Sequence, residues 1–425
     1  MDLIIKDCLL VDPLSGTEKV CSIAINKGII VEINDNISQN ADEIIDGEGR
    51  LMACPGLFDM HVHLRDPGLT HKEDIFTGTA SAAAGGFTAV ACMPNTIPQI
   101  DNADTIKYII EKSSGTGVKV YPVACITKGM KGDILCDFDE LKNAGAIAIS
   151  DDGRPVENAE LLRQALELSN VKGLTVISHC EDMNIIGKGI INKGKVSEKL
   201  GVAGMDRASE DSITAREIAL AMATASHIHI AHVSTKGSVQ FIRDAKKNGV
   251  KVTCETCPHY FTYTEEKLLS RDADYRMNPP LRTEEDRISV LEAVLDGTID
   301  CIVTDHAPHA KEEKADFEKA PNGVVGLETS LAVTLTQLYH TKKATLSKIV
   351  ELMSVNPRKV LGLKAQPFSV GSIADITIVD LDREWTVVPE KLKSKSKNTV
   401  FKGEILKGKA VFTISDGKII YTGVE

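Results

Sequence analysis

The sequence predicts an α/β protein built on a (β/α)8 TIM barrel, with a small β domain formed by the two ends of the chain. Between β-rich ends, strand-like apolar runs alternate with helical stretches, which is the rhythm of parallel β/α units. Eight such runs can be counted, and eight strands close a barrel. The runs are 56–65, 87–95, 118–127, 146–152, 174–182, 227–234, 250–259 and 299–309.

The two ends of the chain have a different pattern from the middle. Residues 3–50 read as short alternating strands separated by turns, and 374–380 alternates in the same way. A hairpin is expected around Asp416-Gly417, because this dipeptide favours a tight turn between strands. We therefore predict that the termini meet in one β-sandwich. This divides the chain into residues 1–54 (first part of the sandwich), 55–364 (barrel) and 365–425 (second part of the sandwich).

The segment after the eighth strand predicts a long loop followed by helices. Residues 309–324 are rich in lysine and glutamate, and they form either a lid or substrate-binding loop or an ordinary solvated loop. Helical patterns follow at 325–340 and 345–354, and the second is expected to end before Asn356-Pro357.

Composition and charge narrow the class of function. The chain has 425 residues, of which 43% are hydrophobic and 26% are charged, and its net charge is −11. An acidic chain without a long basic run is a poor partner for nucleic acid or an anionic membrane, so a small-molecule substrate is expected. The N-terminus lacks the basic-then-apolar order of a signal peptide, and no uninterrupted apolar run approaches the length of a membrane span. The ten cysteines are scattered singly through apolar runs, apart from one C-x-x-C formed by Cys254 and Cys257. These features predict a cytoplasmic protein with reduced thiols.

Polar residues end most of the predicted barrel strands. Active sites of such barrels lie at the carboxyl ends of the strands, so these side chains are expected to converge on one rim. Each alone is compatible with a solvated strand end or a hydrogen-bonded core histidine. Together they form a set that chance explains poorly: His61, His63, Arg65, Asn95, Asp151, Asp152, His179, His232 and Asp305.

Imidazole and carboxylate ligands favour zinc or a similar transition metal over calcium. His61 and His63 are two residues apart, so on a strand both side chains project from one face and can share an ion. Six candidate ligands exceed the need of one ion with an open position. We therefore expect two metals bridged by a strand-four aspartate and a hydroxide, one near His61, His63 and Asp305 and the other near His179 and His232.

Strand phase predicts which aspartate lies between the metals. In the run 146–152 the bulky residues occupy odd positions up to Ile149, and bulky residues are expected to face the outer helices. Asp152, rather than Asp151, then points inward. The same alternation, counted back from His232, puts His227 and His229 in the opposite phase to His232, so they are expected to be outward-facing residues with no role in the site.

Several motifs closely resemble those of dihydroorotase in the amidohydrolase superfamily, and the resemblance spans nearly the whole chain. They are Asp59-Met-His-Val-His-Leu-Arg65, Met93-Pro-Asn-Thr96, Ser150-Asp-Asp-Gly153, Ser178-His-Cys-Glu-Asp182, Ala231-His-Val-Ser-Thr235, Met277-Asn-Pro-Pro-Leu-Arg282 and Thr304-Asp-His-Ala-Pro-His309. Related cyclic amidohydrolases usually bridge their metals with a carboxylated lysine on strand four. This chain has no lysine between Ala144 and Gly153, so it is similar to the dihydroorotases that use an aspartate there.

The resemblance implies a function and a set of roles. The function is reversible cyclisation of N-carbamoyl-L-aspartate to dihydroorotate in pyrimidine biosynthesis, by a zinc-bound hydroxide, with two Zn²⁺ per subunit and Asp305 as general acid and base. A homodimer and association with aspartate carbamoyltransferase are the implied assemblies. The substrate-binding residues would be Arg65, Asn95 and His309 for the carboxylate, Asn278 with the main chain of Asn322 and Gly323 for the ring, and His63 beside the metals.

Two alternatives stay open on the sequence. Cys257-Pro-His-Tyr260 looks as much like the hydantoinase and allantoinase pattern as like dihydroorotase, so another cyclic amidohydrolase, including a dihydropyrimidinase, is the second interpretation. A non-catalytic relative that keeps the barrel as an assembly partner is the third. Such proteins typically lose metal ligands, whereas here every expected position is filled.

Overall fold

The computed structural model describes residues 1–365 and 367–424 and contains the predicted eight-stranded parallel barrel. In chain order the strands are β1 (Leu3–Asp12), β2 (Thr17–Asn26), β3 (Ile29–Asn34), β4 (Glu43–Asp46), β5 (Leu51–Pro55), β6 (Leu57–Val62), β7 (Phe87–Cys92), β8 (Lys119–Ala124), β9 (Ala148–Ile149), β10 (Thr175–Ser178), β11 (Ile191–Asn192), β12 (Gly204–Met205), β13 (Ile228–Ile230), β14 (Val252–Thr256), β15 (Cys301–Ile302), β16 (Ile376–Thr386), β17 (Ile405–Ser415) and β18 (Lys418–Thr422).

The α-helices alternate with the barrel strands and continue after the last of them. They are α1 (Ile75–Ala84), α2 (Ala103–Ser113), α3 (Phe138–Ala144), α4 (Ala159–Lys172), α5 (Met183–Ile186), α6 (Lys195–Leu200), α7 (Ala208–Thr224), α8 (Lys236–Lys247), α9 (Pro258–Thr262), α10 (Glu284–Asp296), α11 (Ser330–Thr334), α12 (Leu346–Val350) and α13 (Asn356–Val360).

The barrel strands follow the order β6-β7-β8-β9-β10-β13-β14-β15. The two ends of this path meet, because Val62 forms a parallel bridge with His306 and the His63 N–H donates to the His306 carbonyl at 2.8 Å. The prediction of an eight-stranded barrel is therefore confirmed. Closure brings the end of the first strand beside the end of the eighth, which places His61 and His63 next to Asp305.

Local signals in the sequence explain where the helices begin and end. Helix α4 is an example: the Asn158 side chain accepts from the main-chain N–H groups of Glu160 and Leu161, which the first turn leaves unpaired. The helix stops at Gly173, whose φ of 65° is the left-handed conformation that glycine adopts without a steric penalty. Its apolar face, which includes Leu166, is buried against the barrel core.

One predicted helix end is wrong. The helix that was expected to stop before Asn356-Pro357 continues from α12 through a π-helical segment, Glu351–Val355, into α13. Proline is tolerated in the first turn of a helical segment because the N–H it lacks has no partner there. The change to π-helical pairing just before Asn356 gives Pro357 such a position.

The strands from the two ends of the chain form one mixed sheet in the order β18-β17-β16-β5-β1-β2-β3, with β4 beside β1. Antiparallel pairing of β16 with β5 joins the C-terminal part to the N-terminal part. Ile29 at the start of β3 also bridges to Ile373, so the sheet curls over its own apolar core. The two ends meet as predicted, in one continuous sheet. The exact domain limits at 54/55 and 364/365 stay a prediction.

The hairpin predicted at Asp416-Gly417 connects β17 and β18, and both residues have positive φ, at 47° and 74°. This is the geometry of the tight hairpin turn that the dipeptide favours.

Among residues 1–365 and 367–424, no helix combines the length and the apolar character needed to cross a membrane.

Candidate metal centre and active site

A cavity of about 250 Å³ opens at the carboxyl ends of the barrel strands. It is smaller than the roughly 300–1,000 Å³ of pockets for drug-sized ligands, so it suits a small molecule with a single ring. Its walls bring together residues from most of the predicted strand ends. They are His63, Arg65, Asn95, Asp152, Gly153, His179, His232, Asn278, Asp305, Ala307, His309, Asn322 and Gly323.

Two groups of possible metal ligands share Asp152 at the floor of this cavity. The first contains His61 and His63, whose Nε2 atoms lie 3.4 Å from Oδ1 and Oδ2 of Asp152, respectively. The second contains His179, with Nδ1 at 3.4 Å from Asp152 Oδ1, and His232, with Nε2 at 3.6 Å from the same oxygen. Asp152 therefore stands between the two histidine pairs.

Asp305 belongs to the first group by position. Its Oδ1 atom lies 3.1 Å from His63 Nε2 and 3.6 Å from His61 Nε2. Asp151 is turned away and accepts hydrogen bonds from the main-chain N–H groups of Ile126 and Thr127. The structure thus brings together all six predicted ligands and excludes Asp151 from the cavity.

Neighbouring oxygen atoms orient three of the four histidines. His61 Nδ1 lies 2.5 Å from Glu255 Oε1, His63 Nδ1 lies 2.8 Å from Asn95 Oδ1, and His179 Nε2 lies 3.2 Å from Glu181 Oε2. Because a carboxylate and an amide oxygen only accept, each of these nitrogens carries the proton. With a metal ion bound, the other nitrogen of each ring, which faces Asp152, would present its lone pair to the metal.

The residues present fit a divalent metal ion. Two donor atoms at the centre, His61 Nε2 and Asp152 Oδ1, are buried and have no hydrogen-bond partner within the described part of the chain. Buried polar atoms are normally paired, since leaving one unpaired costs roughly 1–3 kcal/mol. Imidazole nitrogens and a carboxylate facing one another across 3.4–3.6 Å are the donor set of zinc and related metals. These residues can therefore hold a divalent metal ion.

Three residues of the site have positive φ angles just beyond their strands. Arg65, His232 and Asp305 have φ values of 60°, 34° and 47°. This conformation costs a non-glycine residue about 1–3 kcal/mol and is concentrated at functional sites. In each case the turn follows the strand end and brings the side chain to the cavity.

Arg65 is held at the cavity wall with little access to solvent. The residue is 8% exposed, and its Nε–H donates to the Pro308 carbonyl at 3.2 Å. Burial lowers the pKa of Arg65 to about 10, partly offset by Asp305 and Asp152, so the side chain stays charged at neutral pH. A buried guanidinium beside an open cavity can hold a carboxylate by two parallel hydrogen bonds.

His309 faces Arg65 in the neutral form. Burial, then the charges of Arg65 and Lys72, lower the pKa of His309 to about 2. Its Nε2 lies 2.9 Å from the Asn322 carbonyl, which can only accept, so Nε2 carries the proton in this structure. Nδ1 then accepts from the Lys72 ammonium at 3.4 Å.

Asn278 and the Asn322-Gly323 segment form another part of the cavity wall. Asn278 Nδ2 donates to Glu181 Oε2 at 2.9 Å, while its Oδ1 is buried without a partner among the described residues, so this oxygen can accept from a ligand N–H. The main chain of the loop is already engaged, since the Gly323 N–H donates to the Arg276 carbonyl at 3.0 Å. A side chain in place of Gly323 would collide with the wall, because its Cβ atom would lie only 2.7 Å from the Ala307 carbonyl oxygen.

Sequence reasoning missed Glu255 and Glu181, and it was wrong about His229. Burial would raise the pKa of Glu255, but His61 and His229 hold it down to about 2, so the carboxylate is charged. His229 is fully buried, with Nε2 at 3.1 Å from Glu255 Oε2, and therefore points inward beneath the metal site. The phase argument failed because it counted back from His232, which lies beyond β13 in a left-handed turn.

His227 lies apart from the cavity and shares the Thr253 hydroxyl with His229. It lines a different cavity, together with residues such as Gly173 and Leu174 that precede strand β10.

The C-x-x-C motif spans a strand end and a helix start: Cys254 is in β14 and Cys257 precedes α9, and all ten cysteines are buried and unpaired. A carboxylate inside the apolar run 250–259 was the available signal for Glu255.

Comparison with known proteins places this geometry in a family. Residues 49–238 match the family model described as Dihydro-orotase-like. Relatives named dihydroorotase include one from Geobacter metallireducens, 50% identical with 99% of this chain and 100% of that protein covered, and one from Acetivibrio thermocellus, 49% identical with 98% of each chain covered.

Solved structures with the same fold include hydantoinases and dihydropyrimidinases. The L-hydantoinase of Arthrobacter aurescens is 25% identical and superposes with a TM-score of 0.89, covering 100% of this chain and 97% of that one. The dihydropyrimidinase of Brevibacillus agri has a TM-score of 0.85 at 22% identity, with 99% and 95% covered, which is a likeness of fold alone.

Proposed function

The chain belongs to the dihydroorotase family of cyclic amide hydrolases, and from this premise we propose that it catalyses the reversible cyclisation of N-carbamoyl-L-aspartate to (S)-dihydroorotate with loss of water. The observation that carries the proposal is the buried Arg65 guanidinium, 8% exposed, in the same small cavity as both groups of possible metal ligands. A fixed cation beside an amide-hydrolysing centre suits a cyclic amide that bears a carboxylate. Dihydroorotate is such a molecule.

We propose two zinc ions as the metals. When bound, they would polarise the ring carbonyl and lower the pKa of a water molecule, which hydrolysis of an unactivated amide needs. The orphaned Asp152 Oδ1 and His61 Nε2 atoms support this proposal. The ligands would be divided as His61, His63 and Asp305 around the first ion and His179 and His232 around the second, with Asp152 between the two.

Asp305 is the proposed proton carrier. Its carboxylate lines the cavity, 3.1 Å from His63 Nε2, so it is close to the atoms that react. In hydrolysis, Asp305 takes a proton from the attacking water and gives it to the ring nitrogen as the carbon–nitrogen bond breaks. In cyclisation, the carboxyl group reacts in its protonated form. Asp305 removes the proton from the carbamoyl nitrogen as that nitrogen attacks the carboxyl carbon, and it returns the proton to the departing hydroxyl, which leaves as water.

The remaining side chains orient the ring. Arg65 would hold the carboxylate with Asn95 and His309, and the free Oδ1 of Asn278 would accept from a ring N–H. The Nε2–H of His309 donates to the Asn322 carbonyl in this structure, so contact with a carboxylate requires His309 to exchange one acceptor for the other. That exchange also frees the Asn322 carbonyl for the ring.

The decisive experiment compares the hydrolysis of dihydroorotate with that of dihydrouracil, hydantoin and allantoin by the metal-loaded protein. We expect dihydroorotate to be preferred by a large factor in kcat/KM, because only this substrate offers a carboxylate to Arg65. Equal or faster turnover of the uncharged rings would reject the proposal in favour of a dihydropyrimidinase, hydantoinase or allantoinase.

The role of Asp305 has a separate test. Asp305→Asn keeps the shape and one oxygen donor but cannot take up a proton at neutral pH. We expect the variant to keep most of its metal while both directions of the reaction are lost. A variant that holds both metals and retains nearly the original rate would show that another group carries the proton.

We also propose a cytoplasmic location, a homodimer and association with aspartate carbamoyltransferase. The ten buried, unpaired cysteines support the first, since they suit a reducing compartment. Similarity to the family supports the two assemblies, and sedimentation of the pure protein with and without the transcarbamoylase tests both.

A further inference from the structure

The segment that connects β16 to β17 contacts the loops at the carboxyl ends of the barrel strands. Along residues 392–398 the side chains alternate strictly, with Leu392, Ser394, Ser396 and Asn398 buried and the lysines between them more exposed. This period of two is that of an extended chain with one face against the protein. We call residues 392–398 the strap.

One end of the strap is fixed to the loop that follows the first barrel strand. The Ser394 hydroxyl and the Lys395 N–H donate to the Glu73 carboxylate, the N–H at 3.0 Å. Two further N–H groups, of Lys393 and Ser394, donate to Glu328 Oε1 at 2.7 and 3.1 Å. Because both carboxylates are largely buried, these bonds hold the strap in one position.

The other end of the strap contacts the loop that follows the eighth strand. Asn398 Oδ1 accepts from the His309 N–H at 3.2 Å, and its Nδ2 donates to the carbonyls of Ala307 at 3.3 Å and Gly323 at 3.0 Å. The Asn398 carbonyl also accepts from the Val325 N–H at 3.0 Å. One amide side chain, only 4% exposed, thus joins both ends of the loop that carries His309 and Gly323.

Within that loop, the Lys314 side chain holds the main chain in place. The Lys314 ammonium is buried and donates to the carbonyls of Arg276, Pro321 and Gly323 at 3.1, 2.9 and 3.1 Å. The Gly323 carbonyl therefore accepts one hydrogen bond from Lys314, within the loop, and another from Asn398, outside the loop. The space is tight, because a Cβ on Gly323 would lie 2.9 Å from His309 Nε2.

We propose that Asn398, through the strap, is a positioning residue for substrate binding. It sets the distance between His309 and the Asn322-Gly323 wall, and so determines how well the cavity fits the carboxylate end and the ring of the substrate. The inference rests on the proposed function, and it assigns part of the binding site to the C-terminal segment that the sequence allots to the β domain. Asn398 lies behind the residues that line the cavity and bonds to their main chain, so its effect is on binding rather than on chemistry.

The test compares Asn398→Ala and Asn398→Asp with the unmutated enzyme. The alanine variant leaves the Ala307 carbonyl and the His309 N–H without their partner and removes one of the two donors to the Gly323 carbonyl. The aspartate variant keeps the size and the acceptor for His309 but cannot donate to Ala307 or Gly323. We expect KM for dihydroorotate to rise about tenfold or more in both, with kcat within about threefold and metal content unchanged. The aspartate variant carries the test if the alanine variant does not fold.

Asn356→Ala is the matched control. Asn356 also donates to a main-chain carbonyl, that of Asp300 at 2.9 Å, but on the side of the barrel where the strands begin. It should lower the melting temperature without changing KM. An Asn398 variant with unchanged KM, or with kcat and metal lost together, overturns the positioning role. An unmutated enzyme that does not turn over dihydroorotate would instead reject the proposed function.

Discussion

Glu255→Gln isolates the contribution of a buried carboxylate to metal binding. Glu255 is fully buried in β14, where Oε1 lies 2.5 Å from His61 Nδ1 and Oε2 lies 3.1 Å from His229 Nε2. Glutamine has nearly the same volume, so the barrel core stays filled. What changes is the charge of the acceptor and the number of acceptor oxygens.

The size of the effect follows from these two contacts. A hydrogen bond to a charged group contributes about 1.5–3 kcal/mol, roughly twice a neutral one. With glutamine, the single oxygen must face His61 Nδ1, because an N–H donor there would move the imidazole proton to Nε2 and block the metal. The oriented tautomer is then kept by a weaker bond. We expect metal affinity to fall about 10- to 100-fold, or about 1.4–2.7 kcal/mol.

Competition with a chromophoric chelator measures the dissociation constant of each metal in the purified variant. Glu292→Gln is the matched control, because Glu292 is an exposed residue of α10 and should leave both constants unchanged. The variant should also retain its melting temperature in excess chelator to within a few degrees. A dissociation constant within twofold of the unmutated value, in a folded variant, would refute the argument that Glu255 orients His61.

Three further results are expected. Asp152→Ala should lose metal and activity together. Asp151→Ala should keep its metal but unfold at a lower temperature, because the buried donors of Ile126 and Thr127 lose their acceptor. Metal analysis and thermal denaturation check both variants, and the reverse pattern would contradict the assignment. Arg65→Met should raise KM for dihydroorotate roughly 30-fold to several thousandfold by removing a desolvated partner worth about 2–5 kcal/mol, with metal content spared in the same preparation. Burial, followed by the charge of Arg65, lowers the pKa of His309 from 6.5 to about 2, so the ring stays neutral in the folded protein, and the ratio of KM between His309→Gln and the unmutated enzyme should not change between about pH 5 and 8. Below about pH 6.5 only the unfolded chain binds a proton at this site, so His309 makes the folded protein less stable as the pH falls. Thermal denaturation at several pH values should show that His309→Gln has lost this part of the acid sensitivity.

Most of the fold and the six candidate ligands could be predicted from the sequence because both depend on local features. Each barrel strand is one apolar run, and each ligand is a polar residue at the end of such a run. A residue like Glu255 could not be assigned in this way. Its importance comes from contacts with His61 on β6 and His229 on β13, which are far away in sequence. The only local signal is a carboxylate inside an apolar strand, where a charge is rarely buried without a partner.

Asn398 illustrates a second limit of the sequence. Its run of alternating lysines and small polar residues reads as a solvated loop, and the period of two has no apolar face to mark it as buried. The buried face is polar because it meets carboxylates and main-chain groups rather than a hydrophobic core. Hydropathy therefore cannot find such a segment, although the hydrogen bonds of the folded protein reveal it.

The contrast between Asp152 and His229 separates two rules that the sequence argument used together. The rule that functional groups lie at the carboxyl ends of barrel strands depends only on topology, and it holds for all six candidate ligands. The rule of strand phase requires an unbroken period of two between the residues compared. Between His229 and His232 that period ends, because β13 stops at Ile230 and His232 has a φ of 34°. Arg65 and Asp305 leave their strands through the same kind of turn. Phase is therefore least dependable at strand ends, where the active-site residues of a barrel lie, and an inward position there has to be argued from chemistry and closure of the barrel instead.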